Sequence, residues 1–196
     1  MWGFLQPIAY LLGIKDNTPK KDPGGWKPEW SQYIKNAYYN RPDLEASFDQ
    51  AKDIKTLRPD WFTLSTAQKC EVLAAFWKAI ALYESDYNPK CASVDVGTPN
   101  NKDTWSIGLL QMSVIDQSNY GLRLGYNYNT LLEPTNNLYL GMLVMDKQLK
   151  RRGRIFIPQG DIGTYWATIH PGGRYDKSSQ IIKLVQAVKF DTVPKT

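Results

Sequence analysis

Glu84 lies in the stretch Ala79-Ile80-Ala81-Leu82-Tyr83-Glu84-Ser85-Asp86-Tyr87-Asn88-Pro89, where a carboxylate is expensive. Upstream, Val72, Leu73, Phe76, Ala79, Ile80 and Tyr83 recur at helical spacing, which predicts an amphipathic helix with one buried stripe. At about 100° per residue, Glu84 falls within roughly 40° of Leu73, Trp77 and Ile80, on the buried side. It also falls in the last turn, because Asn88-Pro89 cannot continue the helix. A carboxylate there faces apolar neighbours and the negative end of the helix dipole. Both disfavour its ionised form and raise its pKa, as a general acid working near neutral pH requires. The ordinary reading is a glutamate at a helix end, in water. The rest of the chain has to decide between them.

The elements that would position Glu84 read as mostly helical. Ser65-Thr66-Ala67-Gln68 has the form of a capping box just before the central helix. Ahead of it, Trp30, Tyr33, Ile34 and Ala37 share one face of a helix within Trp26 to Asn40. Pro42 opens a further turn with Leu44, Phe48 and Ala51 spaced to pack. After Pro89 an irregular stretch, Lys90 to Trp105, is rich in Asn, Asp, Gly and Pro, and a loop of that length is usually functional or disordered. Pro134 opens a helix with Leu138, Gly141, Met142, Met145 and Leu149 at helical spacing, ending in a basic run and Gly153. Asp161 to Ile169 and Ser178 to Val188 are read as the last two helices. Met1 to Gly25 reads as an extension containing a polar, Pro- and Gly-rich linker from Lys15. The expected division is an N-terminal extension, residues 1–60, packing on a catalytic domain, residues 61–196.

Four segments, taken in order, resemble the soluble lytic transglycosylase and goose-type lysozyme superfamily. They are Glu84-Ser85 with Tyr87-Asn88-Pro89, then Ser106-Ile107-Gly108-Leu109-Leu110-Gln111-Met112-Ser113, then Pro134-Thr135-Asn136-Asn137-Leu138-Tyr139-Leu140-Gly141, and finally Tyr165-Trp166-Ala167. The resemblance covers roughly Thr66 to Gly172. It implies a mainly α, lysozyme-like domain whose central helix ends in the catalytic glutamate, and a muramidase that cleaves the β-1,4 bond between N-acetylmuramic acid and N-acetylglucosamine in peptidoglycan. Carried over by position, it makes Glu84 the acid and base. Ser85, Gly108, Gln111, Met112, Ser113 and Asn137 become residues of the glycan cleft, and Tyr165 the tyrosine whose hydroxyl points at the glutamate. The sequence departs from the family at Thr168, where the asparagine-glycine part after the tyrosine is missing, and at Leu110, where methionine is usual.

Glycoside cleavage needs an acid beside the leaving oxygen and a way to deal with the positive charge left on the sugar. In a lytic transglycosylase the same glutamate then deprotonates the sugar's own 6-hydroxyl, and a 1,6-anhydro product forms without water. In a goose-type lysozyme an aspartate after the helix holds an attacking water. Asp95 and Asp103 lie in the right loop for that role, against the ordinary reading of solvated loop aspartates. Asp86 follows Glu84 too closely and should point away. With these two aspartates to hand, the hydrolytic mechanism is the one expected here, with the lytic one as its rival.

Composition bounds the remainder. A net charge of +5 with 12 Tyr and 7 Trp favours an anionic, ring-bearing partner. The basic cluster Lys147, Lys150, Arg151, Arg152 and Arg154 reads as the solvated end of a helix, so the partner expected is the glycan strand of peptidoglycan, with no nucleic acid. A non-catalytic wall-binding relative is a further alternative. No stretch reaches the roughly 20 apolar residues of a membrane span. Trp2 to Ile14 is short and lacks the basic region and cleavage site of a signal peptide, so a secreted or periplasmic monomer whose signal has been removed is expected. One histidine, His170, and two cysteines exclude a Ser-His-Asp or Cys-His arrangement and offer no zinc set; no metal or cofactor is expected. A Cys70–Cys91 disulfide would require the loop after Glu84 to run straight back along about 21 Å of helix, within the roughly 25 Å that seven residues can span.

Overall fold

The computed structural model describes residues 25–95, 97–158 and 165–190. Helices dominate: α1 (Pro28–Asn40), α2 (Pro42–Asp49), α3 (Ile54–Leu57), α4 (Thr66–Ser85), α5 (Asp116–Asn119), α6 (Tyr128–Leu131), α7 (Pro134–Arg152) and α8 (Ser178–Gln186). Two two-residue strands, β1 (Ala92–Ser93) and β2 (Ser106–Ile107), pair antiparallel with Ala92 opposite Ile107. Strands this short carry no readable alternation. The mainly α architecture expected from the sequence is the one observed.

The capping box forms as the residue types require: the Gln68 amide donates to Ser65 Oγ at 3.3 Å, and the Ser65 amide to Gln68 Oε1 at 2.9 Å. Beyond it, α4 differs from the single buried stripe expected. Val72, Leu73, Ala74, Phe76, Trp77, Ala79, Ile80 and Ala81 are all buried, so the helix is covered on most sides. A helix apolar all round is a core helix, and α1, α8 and the turn Ala167–Ile169 pack around it. Helix α1 lays Trp30, Ile34 and Tyr38 against α4, where buried Trp77 Nε1 donates to Tyr38 Oη at 2.9 Å. Phe48, Phe76, Trp77 and Trp166 continue as a run of edge-packed rings.

The central helix ends at Ser85, which leaves Glu84 in its last turn as expected; Asp86 (φ 55°) and Tyr87 (φ 62°) turn left-handed straight after it, ahead of Asn88-Pro89. Of the helix expected over Asp161 to Ile169, residues 161–164 lie outside the described residues, and Ala167–Ile169 forms a 3₁₀ turn. Cys70 is buried on α4 and is not joined to Cys91. Residues 1–24, with most of the linker read from Lys15, also lie outside the described residues. Among the described residues no helix is long and apolar enough to cross a membrane.

Candidate active site

Glu84 ends α4 half-buried, and burial pushes its pKa up to about 7. The Thr168 hydroxyl donates to Glu84 Oε1 at 2.7 Å and works in the opposite direction, favouring the ionised form. A carboxyl poised between these two influences can hold a proton near neutral pH and still be stabilised once it has given that proton away. The sequence does not single out Thr168, which marks there only a departure from the family pattern. Its signal is its spacing: three residues after Tyr165, on a turn tight enough to bring both toward α4.

Facing the helix end is the loop Ile107–Ser113, which is held from several sides. Ser85 Oγ lies 2.8 Å from Leu109 O and ties the loop to α4. Buried Asn137 on α7 accepts from the Leu110 amide at 2.7 Å and donates to Ile107 O at 2.9 Å and Leu131 O at 3.1 Å. Trp166 Nε1 donates to Leu110 O at 2.9 Å. Gln111 Nε2 donates to Gly108 O at 3.0 Å, and Ser93 Oγ to Gln111 Oε1 at 3.0 Å, joining the loop to β1. Gly108 must be glycine twice over: its φ is +75°, and a Cβ there would sit 2.7 Å from Asn137 Cγ.

Most of the residues expected in the glycan cleft are enclosed in this scaffold. Ser85, Gln111, Ser113 and Asn137 are buried and bonded within the scaffold, and Met112 is fully buried in the core. Gly108 packs its backbone directly against the Asn137 side chain. Tyr165 is also placed differently. Its hydroxyl donates to Asp116 Oδ2 at 2.5 Å and lies 3.1 Å from Gln111 O, so the glutamate's partner is Thr168 instead. Burial raises the Tyr165 pKa, and Asp116, Tyr120 and Glu84 add to the effect, so its hydroxyl stays protonated.

Asp116 is the second residue the sequence does not single out. It is buried, and burial raises its pKa against the hydrogen bonds it receives from Tyr165 and Ser113. The Ser113 amide donates to Asp116 Oδ2 at 2.6 Å. The spacing Ser-x-x-Asp is that of a capping pair, a signal that the residue types alone carry.

The two loop aspartates stand apart from this network. The Asp95 carboxylate closes its own turn, accepting from the Gly97 amide at 3.0 Å and Thr98 Oγ1 at 2.8 Å. Asp103 is exposed on the 3₁₀ turn Lys102–Thr104, where its carbonyl accepts from the Ile115 amide. The causes of the Glu84 shift are burial and Thr168, and neither aspartate is among them.

Among known proteins, the family model for the transglycosylase SLT domain matches residues 63–164. No curated protein matches the chain. Solved structures of Bd0314 DslA share its fold. The wild-type form aligns at 23% identity over 81% of this chain and 88% of that one, with a TM-score of 0.65. A glutamate-to-glutamine mutant aligns at 24% identity over the same shares, with a TM-score of 0.66. Glu84, the loop it faces and the Asn137 helix all fall inside the matched residues, and the chain belongs to the transglycosylase SLT domain family, glycosidase-type enzymes of lysozyme-like fold that act on peptidoglycan.

Proposed function

We propose that this protein is a lytic transglycosylase that cleaves the β-1,4 bond between N-acetylmuramic acid and N-acetylglucosamine and leaves a 1,6-anhydro end. The observation that carries this reading is the match of residues 63–164 to the transglycosylase SLT domain family around Glu84, a carboxyl with its pKa raised to about 7 and a hydroxyl donor at 2.7 Å. In the first step the protonated Glu84 gives its proton to the glycosidic oxygen and the bond to the anomeric carbon breaks. In the second, the Glu84 carboxylate, held by Thr168, takes the proton of the sugar's 6-hydroxyl as that oxygen bonds to the anomeric carbon. The glutamate ends protonated and ready for another cycle. One residue does both jobs, which suits a site where Asp95 is occupied by its own turn and Asp103 is exposed.

Peptidoglycan lies outside the cytoplasmic membrane, so the enzyme works there, as a monomer in this reading. The test is digestion of purified peptidoglycan followed by mass spectrometry of the products. Anhydro ends are expected; reducing ends would replace the lytic mechanism with the hydrolytic one expected from the sequence. Glu84→Gln should lower the rate by roughly 10²–10⁴-fold while the far-UV spectrum stays unchanged. Wild-type activity in that variant would remove Glu84 from its role.

A further inference from the structure

Immediately after Glu84 and Ser85 the backbone takes two left-handed residues in a row, Asp86 and Tyr87. Aspartate tolerates this region, whereas a bulky aromatic residue there is a rare outlier that its surroundings must hold in place. The helix supplies some of the restraint: the Asp86 amide reaches Leu82 O at 3.2 Å, the Tyr87 amide reaches Ala81 O at 3.4 Å, and the Asn88 amide reaches Ser85 O at 3.0 Å. Lys78 on α4 lies over the Tyr87 ring at 5.9 Å, and further restraint comes from a part of the chain ahead of the family domain. Trp26 packs edge-on against the Tyr87 ring at 5.6 Å and against Trp30 at 5.3 Å. Its indole N–H donates to Ser31 Oγ at 2.8 Å, which fixes the ring on the first turn of α1. Gly25 backs directly onto the turn: a Cβ there would stand 2.9 Å from Tyr87 Cβ, 3.6 Å from Tyr87 O and 3.7 Å from Asp86 O.

From this geometry we infer that Gly25 and Trp26 are positioning residues for Glu84, acting through the strained Asp86–Tyr87 turn that they clamp from the N-terminal side. The inference rests on the assignment of Glu84 as the acid. The clamp holds the exit of α4 in one conformation, so the last helical turn cannot unwind and the Glu84 carboxyl keeps its place beside Thr168. Both residues precede residues 63–164, so a segment outside the family domain takes part in presenting the family's glutamate.

The test compares Trp26→Ala, Trp26→Phe and Gly25→Ala in the full chain, with turnover of soluble peptidoglycan fragments measured beside backbone amide exchange. Trp26→Ala should lower kcat about tenfold and leave KM within about twofold, since displacement of a reacting group costs rate and not substrate binding. Trp26→Phe, which keeps a ring against Tyr87, should recover most of that loss. Gly25→Ala should lower kcat by pressing a methyl group into Tyr87. In both impaired variants the amides of Asp86, Tyr87 and Asn88 should exchange faster while those of α7 do not change. Wild-type kcat in folded Trp26→Ala, or a loss carried wholly by KM, overturns the inference. Trp26 is half-buried at the edge of the fold; if its removal nevertheless prevents folding, Gly25→Ala decides by the same readouts. The exchange measurement needs no substrate, so it stands or falls separately from Glu84→Gln, which tests the assignment of the acid.

Discussion

The proton on Glu84 is governed by two opposed influences, and each makes a separate prediction. Burial raises its pKa from 4.5 to about 7, so the folded protein binds this proton more tightly than the unfolded chain does. Linkage then gives the sign: between pH 4.5 and 7 the folded state carries more protons, and stability falls as pH rises. The favourable contribution is complete below the unfolded value and is lost as pH passes through about 7. Glu84→Gln, which cannot ionise, should therefore be more stable than wild type at pH 8, by on the order of 2 kcal/mol, with the difference vanishing below pH 4.5. Denaturant melts at both pH values check this, and equal melts at pH 8 would contradict it. In kinetics the acid must be protonated, so wild-type rates should fall as pH rises through about 7. Thr168→Val removes the donor that favours the ionised form. The alkaline limb of the rate profile should then move to higher pH, and the maximal rate should fall because the returning base has lost its support. A limb that moves down, or stays put, would show that Thr168 is not the group holding Glu84.

The loop Ile107–Ser113 and helix α7 act as one device, and its keystone is Asn137. That side chain satisfies a backbone amide and two carbonyls that have no water to turn to, so Asn137→Ala should cost about 3 kcal/mol or more in denaturant melts. It should also abolish turnover, because the wall facing Glu84 loses its shape. A variant within about 0.5 kcal/mol of wild type, a span ordinary for surface changes, would mean that the loop is held by other means. The same device shows what the sequence does and does not disclose. Start and stop signals are legible: the Ser65–Gln68 box, Pro134 and Gly153 mark the helix ends where the structure has them. Glu84 is legible too, because a carboxylate among Leu73, Trp77 and Ile80 conflicts with its pattern. What spacing cannot tell is whether a motif residue faces a ligand or braces the wall behind it. Gln111, Met112 and Asn137 stand in the expected order, yet all three are buried. The left-handed turn after α4 is hidden for a different reason. Left-handed backbone usually advertises itself with glycine, and here Asp86 and Tyr87 adopt it.

At the scale of the whole molecule, the helices before residue 60 and those after it share a single apolar interior. Trp30, Ile34, Tyr38, Leu44, Phe48, Ile54 and Leu57 belong to the same buried cluster as Phe76, Trp77, Val144 and Trp166. Polar ties reinforce the sharing. Buried Ser47 on α2 donates to buried Asp146 on α7, and Tyr38 on α1 receives the indole proton of Trp77. An extension merely docked on a finished domain would leave that domain's core intact when it detached. Removing α1 and α2 here would open the face of α4 that carries Trp77 and the face of α7 that carries Asp146. The expectation is therefore one cooperative transition, with circular dichroism and tryptophan fluorescence melting at the same denaturant concentration. Ile34→Ala, which empties a fully buried site on α1, should lower stability by about 2–5 kcal/mol and move both signals together. Tyr38→Phe should move them together by about 1–2 kcal/mol, the cost of leaving a buried indole N–H unpaired. Loss of α1 as a separate early step, with residues 61–196 still folded, would instead establish residues 1–60 as a true extension. Coincident transitions would make α1 part of the body that holds α4 straight, and with it the glutamate at its end.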